Sequence, residues 1–190
     1  PRIPIPSDSG ALPPERGLFG ILLNISACLG VGTVYVRYKH VCVLDPDKSR
    51  ILRVNRLGLA LGCSSCFGLC LIANFQKCML YPIHVLGSCL AFGMGTLYML
   101  AQTGLSLGMR HREWGWARLA LLLWAGGSLG TMLVSSALLG SGRFGPGLVQ
   151  KLHWHPQERG YTPHMISTIS EWSLAFSFLS FFLTYIRDFQ

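Results

Sequence analysis

The stretch MISTISEWSLAFSFLSFFLTY, Met165 to Tyr185, decides how the rest of the chain is read. It is long enough to cross the hydrocarbon core, which takes about 20 apolar residues as a helix. It holds one carboxylate, Glu171, roughly two helical turns from its start. A charge at that depth costs a few kcal/mol on insertion scales. A proton, a partner or water in a cavity must therefore compensate it.

Four more apolar runs precede it. With boundaries given as sequence positions, the expected spans are 18–36, 57–75, 83–107, 117–139 and 165–185, after a polar, proline-rich segment at 1–17. Pro13-Pro14 delays the first helix until Glu15. Apolar residues make up 51% of the 190 and charged ones only 13%, about half the usual share of a soluble domain. Such a chain cannot cover a soluble globule with polar surface. The fold class is all-α, a single polytopic helical membrane bundle with five spans.

The formal net charge of +8 does not indicate nucleic-acid binding. The basic residues fall in the gaps between apolar runs, where juxtamembrane charges sit. Ten of the sixteen, Arg37, Lys39, Lys48, Arg50, Arg53, Arg56, Arg110, Arg112, Arg118 and Arg187, fall on one side of an alternating five-span topology. The positive-inside rule makes that side cytosolic. In this reading Arg37–Arg56 is a polar loop, and Arg118 snorkels at the edge of span four.

Small residues mark close helix approach. Gly58 and Gly62, Gly104 and Gly108, and Gly126 and Gly130 each repeat the small-xxx-small step. Gly93-Met94-Gly95 is expected to loosen the middle of span three. The seven cysteines read as small packing residues in the runs. Cys63-x-x-Cys66 has redox or zinc spacing, but no second pair follows. His153 and His155 could chelate, yet no third ligand is evident. No metal or other cofactor is called for.

The given orientation collects polar groups on the luminal side. Asn24 lies two turns inside span one, Asn74 at the end of span two, and His84 at the start of span three. His164 precedes span five and Glu171 lies within it; Asp8 sits on the leading segment and can fold over them. Span four adds nothing in this reading. Two interpretations stand. The groups glue helices together by hydrogen bonds, worth under about 1 kcal/mol each in membranes. Or they line a luminal-facing pocket for a lipid headgroup, a proton or a small solute. A Glu–His pair can transfer protons, but no serine or cysteine has an evident base, so catalysis is weakly supported.

Longer patterns are more specific. They are Ser7-Asp8-Ser9-Gly10 with Pro13-Pro14-Glu15, the run from Tyr35 to Lys39, Ala73 to Lys77, Phe92 to Met99, Lys151 to Pro156, and Glu171-Trp172 with Tyr185 to Gln190. Together they resemble the damage-regulated autophagy modulators, a family grouped with Frag1- and Sfk1-like membrane proteins. The resemblance implies six spans in the full-length parent, with one span before this chain and a cytosolic tail after it. It implies a multi-pass protein of the lysosomal membrane, with Golgi, endosomal or plasma membrane as further locations. It also implies promotion of autophagy and a link to apoptosis, with membrane lipids and proteins of the autophagy machinery as partners. It implies no known enzymatic activity. A lipid-modifying enzyme related to lipid-anchor remodelling and a proton-coupled transporter remain the alternatives.

Overall fold

A computed structural model describes residues 14–75, 80–109, 114–143 and 154–188. The described residues are almost entirely helical, without strands. In chain order the helices are α1 (Glu15–Leu44), α2 (Ser49–Asn74), α3 (Tyr81–Ser88), α4 (Gly95–Gly108), α5 (Gly115–Gly140), α6 (Tyr161–Leu183) and α7 (Tyr185–Asp188). A π-helical segment, Cys89–Met94, joins α3 to α4 into one rod, Tyr81–Gly108. Among the described residues, five helical rods are long and apolar enough to cross a membrane. A spanning segment satisfies every backbone group within itself, which is why apolar runs of this length become helices.

Consecutive rods pack side by side. α1 lies on α2, α2 on α3, the π segment and α4, α4 on α5, and α5 on α6. Their shared core holds Val34, Tyr98, Met99, Ala125, Leu174, Phe181 and Tyr185. Outside it, Leu22, Leu29, Leu123, Leu133, Phe176 and Leu179 are exposed, as lipid-facing side chains are.

The interval expected as a polar loop, Arg37–Arg56, is mostly helix. α1 runs on to Leu44 and α2 begins at Ser49, leaving 45–48 as the turn. A 30-residue helix is about 45 Å long, against about 30 Å of hydrocarbon. Charged residues can therefore continue the helix into the headgroups and water. Buried Asn55 ties this extension down, donating to the Tyr38 carbonyl at 2.8 Å. The fifth span is shifted rather than shortened: α6 begins at Tyr161, ahead of the expected start, and stops at Leu183, with Tyr185 opening the short turn α7 after Thr184. Gly160 starts α6 at φ 90°, a left-handed backbone that favours glycine.

Glycine spacing alone did not tell packed faces from open ones. A Cβ on Gly62 would sit 2.7 Å from Val34, and one on Gly58 would sit 2.9 Å from Gln102. By contrast, Gly104, Gly108, Gly126 and Gly130 have no described atom within 4 Å of that position. The tightest approach is at a glycine outside these steps: a Cβ on Gly68 would press on the Ala91 backbone nitrogen and also lie 2.7 Å from the Gly87 carbonyl oxygen. The middle of the third rod is loosened at the π turns. There the Ser65 hydroxyl on α2 donates to the Ala91 carbonyl at 2.7 Å. An outside donor of this kind steadies a carbonyl where the helical ladder changes register.

α5 and α6 are joined by a ladder of hydroxyls. Ser173 accepts from Trp124 Nε1 at 2.7 Å and lies 2.9 Å from the Ser128 hydroxyl. Thr131 meets Ser170 at 2.8 Å, and Ser136 meets Ser167 at 3.1 Å. Serines at 167, 170 and 173 share one helical face. Span four thus does carry polar groups, and they serve as interhelical glue. Ser170→Ala is expected to cost about 0.6 kcal/mol, the average for such a bond in a membrane. Unfolding in mixed micelles measures it; an unchanged midpoint would mean the bond contributes nothing.

Candidate functional site

The polar residues that the sequence reading assigns to the luminal side fall into two neighbourhoods. On α1 and α2, Asn74 donates to the Asn24 side-chain oxygen at 3.2 Å, and both amides also donate to carbonyls one turn back. On α3, His84 Nδ1 lies 3.0 Å from the carbonyl oxygen of Phe75, the residue after Asn74. Asn24, Asn74 and His84 are thereby connected through the α2 terminus. On α6, His164 is buried and stacks on Trp154, centroids 4.3 Å apart at 18°. Glu171 is half-buried two turns further along. Asp8, Cys78 and His153 lie outside the described residues. Cys63 and Cys66 are free thiols, and Cys66 fills the space beside Gly30.

Among the described residues, a dense cluster of buried charge lies at the opposite end of the bundle, the end to which the sequence reading assigned most of the basic residues but no site. Arg118 does not snorkel. Its side chain and that of Arg37 are each 2% exposed and point into the bundle. Both guanidiniums reach the same oxygen, Asp188 Oδ2: Arg37 through Nη1 at 2.9 Å, Arg118 through Nη2. Arg37 also donates from Nε to Gln102 at 3.2 Å and from Nη2 to the Ser106 hydroxyl at 3.4 Å. Arg118 donates from Nε to the Thr184 hydroxyl at 2.9 Å and from Nη1 to Ser106 at 2.6 Å. The Tyr185 ring faces both cations, 5.4 Å from Arg37 and 4.8 Å from Arg118, in cation–π range. Its hydroxyl donates to that of Tyr98 at 3.0 Å.

Burying a guanidinium costs several kcal/mol unless good geometry and hydrogen bonds offset it. Here four elements, α1, α4, α5 and the α6–α7 corner, supply those bonds. The sequence carried one hint. Arg118 stands inside an apolar run, and Gln102 stands near the end of another. Charge and position in the run do not by themselves show which way the Arg118 side chain points.

All 190 residues match one sequence family, the Frag1/DRAM/Sfk1/Cwh43P N-terminal domain. The chain belongs to this family. Among the family's curated relatives, DNA damage-regulated autophagy modulator protein 2 of Mus musculus is 52% identical over 194 residues, spanning all of this chain and 73% of its own. The Homo sapiens protein of that name is likewise 52% identical, with the same coverage. Homo sapiens DNA damage-regulated autophagy modulator protein 1 is 36% identical over 196 residues, again across all of this chain and 79% of its own. No solved structure matches. The family resemblance seen in the sequence is thereby shown, and the five spanning rods make this member a multi-pass membrane protein.

Proposed function

We propose that this Frag1/DRAM/Sfk1 family member promotes autophagy from within lysosomal or endosomal membranes, with a link to apoptosis. The observation that carries the reading is its identity, along all of its length, to proteins named as autophagy modulators. Its partners in this reading are membrane lipids and proteins of the autophagy machinery.

The luminal polar groups form the sensing part of this proposal. Asn24, Asn74 and His84, with His164 and Glu171 on α6 and Asp8 on the leading segment, bind a lipid headgroup or respond to a proton. Two features support this: a carboxylate inside a lipid-spanning helix, and a histidine in contact with the carbonyl of Phe75, next in chain to Asn74, which in turn bonds Asn24. Ionisable groups at membrane depth most often mark such sites. The test replaces Glu171 and His84 together with Gln in the full-length protein and measures autophagic flux at matched membrane expression. A coupling of about 1 kcal/mol is roughly fivefold in occupancy, so flux is expected to drop severalfold. Unchanged flux would remove the layer from the mechanism. Deleting the protein and restoring it tests the modulator reading separately: flux that neither falls nor recovers would overturn it.

A further inference from the structure

We propose that Arg37 and Arg118 form an anion site at the arginine-rich end of the bundle. Asp188 is its internal, displaceable occupant, and its external ligand is a phosphomonoester. The proposal is independent of the luminal layer, which lies at the other end of the rods.

Three observations carry it. The first is charge. Among the described residues, two buried cations share one carboxylate, through a single oxygen. That leaves one positive charge in excess. A phosphomonoester brings about −1.5 to −2 and three acceptor oxygens. Two guanidinium forks suit it better than they suit one carboxylate.

The second is preorganisation. Neutral groups hold both arginines in place without help from Asp188. Gln102, Ser106 and Thr184 bond the Nε and inner Nη atoms, and the Tyr185 ring faces both planes. Removing the carboxylate therefore leaves the remaining Nη donors converged on one point. A site of fixed donors loses little on binding.

The third is access. The Asp188 side chain is 15% exposed while both arginines are 2% exposed, so the carboxylate is the outermost member of the cluster. It sits on α7, four residues long and packed chiefly on α6. A single turn at the end of a rod frays more readily than the rod's interior. Asp188 is three residues beyond Tyr185, so it can swing outward while Tyr185 stays in the core.

The ligand could be a lipid headgroup or a soluble phosphate, and the experiment separates them. Full-length wild type, Asp188→Asn and Arg118→Gln are placed in nanodiscs of phosphatidylcholine. Unfolding midpoints are read alone, with added phosphatidic acid, and with added inorganic phosphate. A ligand that binds only the folded chain raises the midpoint with concentration. Asp188→Asn, freed of its internal competitor, is expected to gain more than wild type, and Arg118→Gln to gain nothing. A gain with phosphatidic acid assigns the lipid source; a gain with inorganic phosphate assigns the soluble one. Equal gains in all three proteins, or none in Asp188→Asn, overturn the proposal. Should Asp188→Asn not fold, native mass spectrometry of wild type against Arg118→Lys decides. Loss of the forked contact should reduce retained phosphatidic acid about tenfold. Equal retention overturns the proposal.

Discussion

Asp188→Ala lowers the unfolding free energy of the bundle by about 3 kcal/mol. Removing one partner from a buried ion pair costs about 3–5 kcal/mol, because the other charge stays buried and uncompensated. Here the loss strands two guanidiniums, which share Asp188 Oδ2. The lower end of the range applies because the Asp188 side chain keeps 15% exposure and water can enter where it leaves. Reversible unfolding in mixed micelles measures the change. The triple variant Arg37→Met, Arg118→Met, Asp188→Ala is the decisive companion. Replacing a whole buried ionic group by apolar side chains is often neutral or stabilising. The triple variant should therefore regain much of what Asp188→Ala loses. If both variants are equally unstable, packing rather than charge holds this corner, and the electrostatic account fails.

Gly68→Val costs about 3 kcal/mol, the upper end for overpacking. At this position α2 and the third rod meet backbone to backbone. A Cβ on Gly68 would lie 2.7 Å from the Gly87 oxygen and 2.7 Å from the Leu90 Cβ. Neither neighbour can rotate away, since one is main chain and the other is fixed to it. The rods must separate, and the Ser65 bond to Ala91 is expected to break with them. Gly126→Ala and Gly130→Ala are the controls. No described atom lies within 4 Å of either added carbon, so each should change stability by no more than about 0.5 kcal/mol. The same unfolding assay compares all three. A tolerated Gly68→Val, or a severe Gly126→Ala, would contradict the helix packing described above.

Glu171, Asn24, Asn74, His84 and His164 stood out because a polar residue in or beside an apolar run is visible one residue at a time. Their partners were not visible. The Asn24–Asn74 bond joins residues 50 apart. Arg37 and Asp188 are 151 apart, and Arg118 and Asp188 are 70 apart. A basic residue at the end of a run looks the same whether it reaches outward to headgroups or inward to a carboxylate. Gly58 and Gly62 lie on a packed face and Gly126 and Gly130 on an open one, though the two spacings are identical.

By itself the sequence determined the solvent, the secondary structure and the number of rods. Each follows from local facts: about 20 apolar residues span the hydrocarbon, and only a helix satisfies their backbone there. Tertiary structure alone decided which faces meet, where α1 and α2 continue past the membrane, and that two distant arginines share the last turn's carboxylate. Those outcomes depend on the direction of each side chain around its rod and on which neighbour stands opposite. Periodicity supplies the first only as a stripe, and the second only packing can supply.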